Sequence, residues 1–274
     1  MKCCFNGDII SREDWQPHAD DRAFRYGDGL FETMTAFAER PRNFERHLMR
    51  LHAGMKRLRM NGSSLPPAAA LISIIATLRE QNGIDKRARV KLTCWRKEGG
   101  LYAPEQNGIH WLLEVSEGKA PSRIIEQAGL ARGTWVSHGP LSAYKRMSAD
   151  EYVLAALECQ QRGMDDLLLC DRKGNLAEAL YANIFWFDGQ RWFTPAKRTG
   201  CIVGVMRGFV IDYLRSKGVA VKKGRFAPDV LDSATIVLNT NASGIRYYQK
   251  VEEHHFMTKD ALIDELIDAI ESEV

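Results

Sequence analysis

The sequence predicts an α+β fold in two domains, and three observations carry that expectation. The chain has 274 residues, which at roughly 150 residues per domain suggests one large or two modest domains. Its first half shows alternating strands around two helical stretches, the pattern of an antiparallel sheet layered with helices. Its second half mixes short strands with helices after a polar break, SEGKAPSR (Ser116 to Arg123), that contains Gly118 and Pro121. The break places a linker at 118–122, between domains 1–117 and 123–274.

Element by element, Asn6-Gly7 marks a hairpin-like start and Leu30 to Thr35 reads as a strand. Helices are expected at about Phe44 to Leu58 and Pro67 to Gln81, the second opened by Pro66-Pro67, where a missing N–H does no harm. Arg89 to Trp95 alternates as a strand, Gly99-Gly100 turns, and His110 to Val115 returns. Beyond the linker, Ser148 and Glu151 have the capping-box spacing for a helix over about Ala149 to Gln161, closed by Gly163. Asp166 to Cys170 and Asn183 to Phe187 read as strands around the Lys173-Gly174 turn, and Asp188-Gly189 leads into Trp192 to Pro195. A helix over Val205 to Lys217, a strand at Thr235 to Leu238 and a terminal amphipathic helix capped by Thr258 complete a mixed-sheet domain.

Composition narrows the function classes. Hydrophobic residues are 45% and charged residues 27%, as in ordinary folded proteins, which disfavours disorder and a disulfide scaffold. A net charge of +3, from 38 basic and 35 acidic residues, is too balanced for a broad nucleic-acid footprint. The N-terminus has no apolar signal-peptide core, and the longest apolar run, Ala68 to Leu78, falls short of the roughly 20 residues that cross a bilayer. A cytoplasmic protein with no membrane or nucleic-acid partner is expected. The six cysteines include no CxxC pair and read as reduced thiols, and His254-His255 diverge in either regular structure, so no metal site is expected.

Three places carry chemistry. Lys145 lies in a loop just before a helix start, where an amine serves as nucleophile and base; the plain alternative is a solvated lysine beside Arg146. Gly204 opens a helix at Gly200-Cys-Ile-Val-Gly-Val-Met-Arg207, and free N–H groups there suit a phosphate, although the spacing is neither a P-loop nor a dinucleotide fingerprint. Glu178 sits in an apolar stretch, costly to bury without a cationic partner, the alternative being a strand-edge glutamate facing water. A lysine, a phosphate cradle and a buried acid are together the handles that hold pyridoxal phosphate.

The order of motifs resembles the fold-type IV pyridoxal-phosphate enzymes. The matching segments are Arg25-Tyr-Gly-Asp-Gly-Leu-Phe-Glu-Thr33, His47-Leu-Met-Arg-Leu51, Lys145, Glu178 with Asn183-Ile-Phe185, Gly204-Val-Met-Arg207 and Asn239-Thr-Asn241. The resemblance implies an N-terminal α+β sheet domain and a C-terminal mixed-sheet, barrel-like domain with pyridoxal 5'-phosphate in the cleft between them, and a homodimer acting on a small anionic amino substrate. Lys145 is then the Schiff-base lysine, Glu178 the partner of the pyridinium nitrogen, and Arg50, Gly204, Val205, Met206 and Thr240 the phosphate holders. The last loop aligns in two registers, so Asn239 competes with Thr240.

Phe31 stands where D-amino acid aminotransferases tend to have tyrosine, which argues against that branch. Phe31, Arg96 and Asn241 are the substrate candidates; Arg96 resembles a carboxylate-holding position, against the alternative of a surface arginine at a strand end. Phe31-Glu-Thr33 and the methionine before Arg207 fit the aminodeoxychorismate lyases of the family, with an amino-acid aminotransferase as the alternative. A non-catalytic anion-binding protein explains Arg50 and Gly204 but not Lys145 together with Glu178.

Overall fold

The computed structural model describes residues 1–37 and 40–271, which divide into two compact units. The first comprises Met1–Ala120 with Tyr144–Ser148, and the second Pro121–Ala143 with the chain from Ala149 onward. Dividing the chain at 118–122 assigns everything past 123 to the second domain, whereas the structure places Tyr144–Ser148 with the first unit.

In the first unit, β1 (Lys2–Phe5), β2 (Asp8–Ser11), β3 (Gly29–Ala36), β4 (Ala88–Arg96) and β5 (Ile109–Glu117) form a sheet in the order β2-β1-β5-β4-β3. All its pairs are antiparallel. Alternation decides the faces: Val90, Leu92 and Cys94 of β4 are fully buried against helices α2 (Phe44–Arg57) and α3 (Ala68–Gln81), α1 being the short Arg22–Tyr26. Phe44, Leu48, Leu51 and Met55 recur at helical spacing on the buried side of α2, as Leu71, Ile75 and Leu78 do on α3. Each such side chain contributes about 1.5–3 kcal/mol by leaving water. The opposite face carries Trp95 and Leu112, packed with Cys3, Phe5 and Trp15.

The 144–148 segment belongs here because it pairs with the edge of β3. The Phe31 N–H donates to the Lys145 carbonyl (2.9 Å), the Met147 N–H donates to the Gly29 carbonyl (3.0 Å), and Leu30 bridges Arg146 antiparallel. A side chain at Gly29 would collide with Met147 Sδ and Trp95 Cβ, so only glycine admits this approach.

The second unit stacks two mixed sheets. One has the order β12-β11-β10-β13-β14-β6, from β12 (Val221–Gly224), β11 (Trp192–Pro195), β10 (Asn183–Phe187), β13 (Ile236–Asn241), β14 (Gly244–Tyr248) and β6 (Ile124–Ile125). The other has the order β16-β15-β7-β8-β9, from β16 (His254–His255), β15 (Lys250–Val251), β7 (Ala128–Leu130), β8 (Asp166–Cys170) and β9 (Leu176–Ala179). Ile184 and Trp186 of β10 meet Leu168 and Leu176 in the core between the sheets. Phe185 points the other way, into a core with α5 (Val205–Ser216) and α6 (Ala261–Glu271). Leu167 and Leu169 pack on Ala155 and Cys159 of α4 (Asp150–Gln161).

Two expected caps are corrected. Ala149, not Ser148, occupies the N-cap of α4 and no cap side chain bonds there, because Ser148 is held against Gly27 in the first unit. Asp260 rather than Thr258 caps α6, its Oδ1 accepting from the N–H groups of Leu262 and Ile263. No helix among the described residues is long and apolar enough to cross a membrane.

The most exacting polar contact of the first unit is Asp28. Its Oδ2 accepts from Arg22 Nε and Arg96 Nε, both at 2.9 Å, and each arginine is only 4% exposed. Removing the carboxylate strands two buried cations, so Asp28→Ala is expected to destabilise the protein by about 3–5 kcal/mol, measured by urea unfolding. A loss below about 1 kcal/mol would show the arginines to be solvated instead.

Candidate active site

In the first unit, the β3 ladder fixes the Lys145 backbone, and its Nζ lies 4.6 Å from the centroid of the Phe31 ring. These two predicted residues are brought together. Arg50 sits on α2 and is positioned by a residue to which sequence reasoning gave no role. Glu32, 1% exposed, accepts from Arg50 Nε at 2.8 Å and Arg50 Nη2 at 2.6 Å, a bidentate fork. His47 Nδ1 lies 2.6 Å from the same carboxylate. Burial pushes the Glu32 carboxyl up, but the Arg50 charge and the hydrogen bonds from Arg50 and His47 more than offset it, leaving it below the ordinary range.

Arg96 does not present itself to a substrate. Besides Asp28, its Nη1 donates to Asn107 Oδ1 (2.5 Å) and its Nη2 to the Leu58 carbonyl (2.7 Å), so the guanidinium is consumed in tying the end of β4 to its surroundings. The alternative of a surface arginine fails too, since it is buried.

In the second unit, Glu178 lies within β9 and is 3% exposed, which removes the reading of a strand-edge glutamate in water. Tyr152 Oη donates to its Oε1 at 2.6 Å, and the Ile202 N–H donates to its Oε2 at 3.0 Å. The Ile202 carbonyl in turn accepts from Asn183 Nδ2 (2.7 Å), and Asn183 Oδ1 accepts from the Gly204 N–H (3.1 Å). A Cβ at Gly204 would run into Asn183 Oδ1, so glycine is required there. The first-turn N–H groups of Val205, Met206 and Arg207 have no intrahelical acceptor, which makes the start of α5 an anion-binding end. The Met206 side chain packs in the core, so only its backbone is available.

Thr240 is the direct cross-strand partner of Asn183 and therefore shares its face, and its hydroxyl is buried with no hydrogen-bond partner. Asn239 alternates to the other face, where its Nδ2 donates to Asp166 Oδ2 and to Tyr248 Oη, both at 3.0 Å. Tyr248 also donates to Asp166 at 2.7 Å, while burial raises the Asp166 carboxyl above its ordinary value despite these donors. Of the two registers, the geometry leaves Thr240 available and commits Asn239. Asn241 closes a local turn, its Oδ1 accepting from the Ser243 N–H at 2.8 Å.

Glu32, Tyr152 and Asn183 are the residues whose parts emerge only in three dimensions. Asp21, Glu98 and His110 form a cluster of metal-ligating types among the described residues. Asn6 Oδ1 accepts from the Trp111 N–H, which turns its Nδ2 toward His110 Nδ1 (2.8 Å); the ring proton is then on Nε2, donated to Glu98 at 3.1 Å. With no lone pair facing the carboxylates, the cluster is a hydrogen-bond network.

The donors of the second unit, an acid at Glu178 held at both oxygens and an unpartnered hydroxyl at Thr240 near a helix N-terminus, suit a phosphorylated aromatic ring, and the first unit by itself offers an amine at Lys145. Comparison with known proteins agrees. The family described as amino-transferase class IV matches residues 29–248. An aminodeoxychorismate lyase of Vibrio harveyi is 27% identical over 236 residues, 82% of this chain and 83% of its own. The crystal structure of 4-amino-4-deoxychorismate lyase from Pseudomonas aeruginosa superimposes with a TM-score of 0.86 at 26% identity, covering 99% of both chains. The branched-chain amino acid aminotransferase of Escherichia coli shares the fold, with a TM-score of 0.85 at 19% identity over 100% of this chain and 94% of its own.

The depressed Glu32 carboxyl has a pH signature. Such a group stabilises the fold above its unfolded value, near about 4.3, and that contribution is lost as pH falls through the lower folded value. Glu32→Gln is expected to lower stability by about 3 kcal/mol at pH 7, and the gap to wild type should narrow toward pH 3 in denaturant titrations. A gap independent of pH would mean that the carboxylate is not the titrating group.

Proposed function

The chain belongs to the class IV amino-transferase family, and on that premise we propose that it is a pyridoxal-phosphate-dependent 4-amino-4-deoxychorismate lyase, releasing pyruvate and 4-aminobenzoate. One observation carries the cofactor: the buried Thr240 hydroxyl has no partner and lies across from Asn183, which fixes Gly204 at the start of α5. A phosphate oxygen is the acceptor that this hydroxyl and the adjacent N–H groups lack. The choice of lyase over aminotransferase rests on the lyases of Vibrio harveyi and Pseudomonas aeruginosa, at 27% and 26% identity.

Bound pyridoxal phosphate supplies an electron sink for the carbon that bears the substrate nitrogen. Lys145 would hold the cofactor through its amine and would then be the base placed to take the proton from that carbon. Glu178, oriented by Tyr152 and the Ile202 N–H, holds a proton on the ring nitrogen. The first turn of α5 and Thr240 would bring neutral donors to the phosphate, and the family resemblance would add the Arg50 guanidinium, a combination suited to a dianion. Cleavage of the C–O bond on the neighbouring ring carbon would release enolpyruvate, which would take up at its methylene carbon the proton removed by Lys145 and become pyruvate, and the aromatic ring left behind would make the elimination favourable. We expect the working unit to be a homodimer in the cytoplasm.

The test pairs spectroscopy with product analysis. Wild type supplied with pyridoxal phosphate is expected to be yellow and Lys145→Ala to lose that absorbance band; a colourless wild type that takes up no cofactor overturns the reading. With aminodeoxychorismate, the purified protein should yield pyruvate and 4-aminobenzoate in equal amounts. Single-turnover conversion of the bound cofactor to pyridoxamine phosphate by an amino acid, without pyruvate release, would make it an aminotransferase.

A further inference from the structure

The sheet face that bears Phe31 carries two more groups that the reaction as described does not use. Phe31 and Thr93 are direct partners across β3 and β4, and Thr33 and Lys91 form the next pair, so all four side chains project from one face. Lys91 Nζ lies 5.8 Å from the Phe31 ring centroid, the same ring that Lys145 Nζ approaches to 4.6 Å. Thr93 is 6% exposed, and its hydroxyl has no hydrogen-bond partner.

Lys91 has a carboxylate next to it in the sheet and does not use it. Glu114 is its partner on β5, but the Glu114 carboxylate accepts from Arg12 Nε at 3.0 Å. Among the described residues no acid lies within ion-pairing distance of Lys91, and it turns to the aromatic ring instead. The face thus holds a half-buried ammonium without a counter-ion, a buried hydroxyl without an acceptor and a flat apolar ring. An ammonium only donates, and a buried hydroxyl without a partner is destabilising until an acceptor arrives. The complement of this set is a carboxylate on a planar ring.

We propose that Lys91 and Thr93 form a carboxylate subsite beside Lys145, with the Phe31 ring as its apolar wall, and that it selects a cyclic dicarboxylic amine over a monocarboxylic α-amino acid. The proposal deepens the lyase reading and rests on it for the identity of the substrate: aminodeoxychorismate carries one carboxylate on its ring and a second on its enolpyruvyl group, whereas an aliphatic α-amino acid offers only one, next to the reacting nitrogen. Lys91 is therefore a specificity residue, distinct from the lysine that does the chemistry.

The test uses holoenzyme reconstituted with pyridoxal phosphate and two probes, benzoate with one carboxylate and isophthalate with two, each followed by perturbation of the visible band. Wild type should bind isophthalate about tenfold or more tightly than benzoate, Lys91→Met should abolish that preference, and Lys91→Arg should keep it. Thr93→Val should weaken isophthalate about three- to tenfold. With aminodeoxychorismate, Lys91→Met should raise KM about 30-fold while kcat falls less than about threefold, the signature of lost binding rather than lost chemistry. A preference for isophthalate that survives in Lys91→Met overturns the subsite. Lyase turnover with a KM independent of Lys91 also overturns it and leaves the lyase reading standing. Lys91-dependent binding of isophthalate by a wild type that releases no pyruvate supports the subsite and overturns the lyase reading.

Discussion

The second unit is organised around one side-chain amide. Asn183 donates to the Ile202 carbonyl and accepts from the Gly204 N–H, and with these two bonds it sets the path of the chain between them. Because the Ile202 N–H is bound to Glu178, the same short segment is tied at one end to the acid and opens at the other into the free N–H groups of α5. Thr240, opposite Asn183 in the ladder, takes its place from the same register. The spacing between the Glu178 carboxylate and the first-turn N–H groups of α5 is thus set by covalent geometry and three hydrogen bonds rather than by flexible side chains. Preorganisation of this kind avoids the ordering cost that a mobile loop would impose on binding.

The first unit solves a different problem, the burial of charge. Asp28 meets two arginines, and Glu32 meets an arginine and a histidine, so each carboxylate sits among donors that match its lone pairs. Pairs of this kind add little net stability compared with an apolar core, but they are costly to break, and they hold the guanidinium planes in fixed orientations. For Arg50 that means a guanidinium held in one orientation on α2 by Glu32. For Arg96 it means a cation that is no longer available.

Much of this was legible in the sequence wherever periodicity or a motif spoke. The strands over 30–35, 89–95 and 110–115 and the helices at 44–58, 67–81 and 205–217 agree with the structure to within a residue or two, because each buries one continuous apolar face. The two-residue strands β6, β15 and β16 left no local signal; β6, for instance, exists because Ile124 and Ile125 pair with Tyr247 and Tyr248 far along the chain. The helix caps misled because serine, threonine and aspartate compete for that role within a few residues, and tertiary contacts decide among them. In the site, Lys145, Glu178 and Gly204 stand out by residue type against their surroundings. The parts played by Glu32, Tyr152 and Asn183 are relations between distant residues, which no single stretch of sequence contains. Arg96 erred for the same reason: its partners at 28, 58 and 107 are invisible locally.

The pairing of residues 145–147 with β3 also bears on how the protein behaves in a crowded solution. β3 is the last strand of its sheet, and a bare strand edge is a template onto which another chain can add. The Lys145 and Gly29 carbonyls and the N–H groups of Phe31 and Met147 satisfy one another there, so part of that edge is closed from within. The segment that carries Lys145 thus also covers a strand edge that could otherwise recruit another chain.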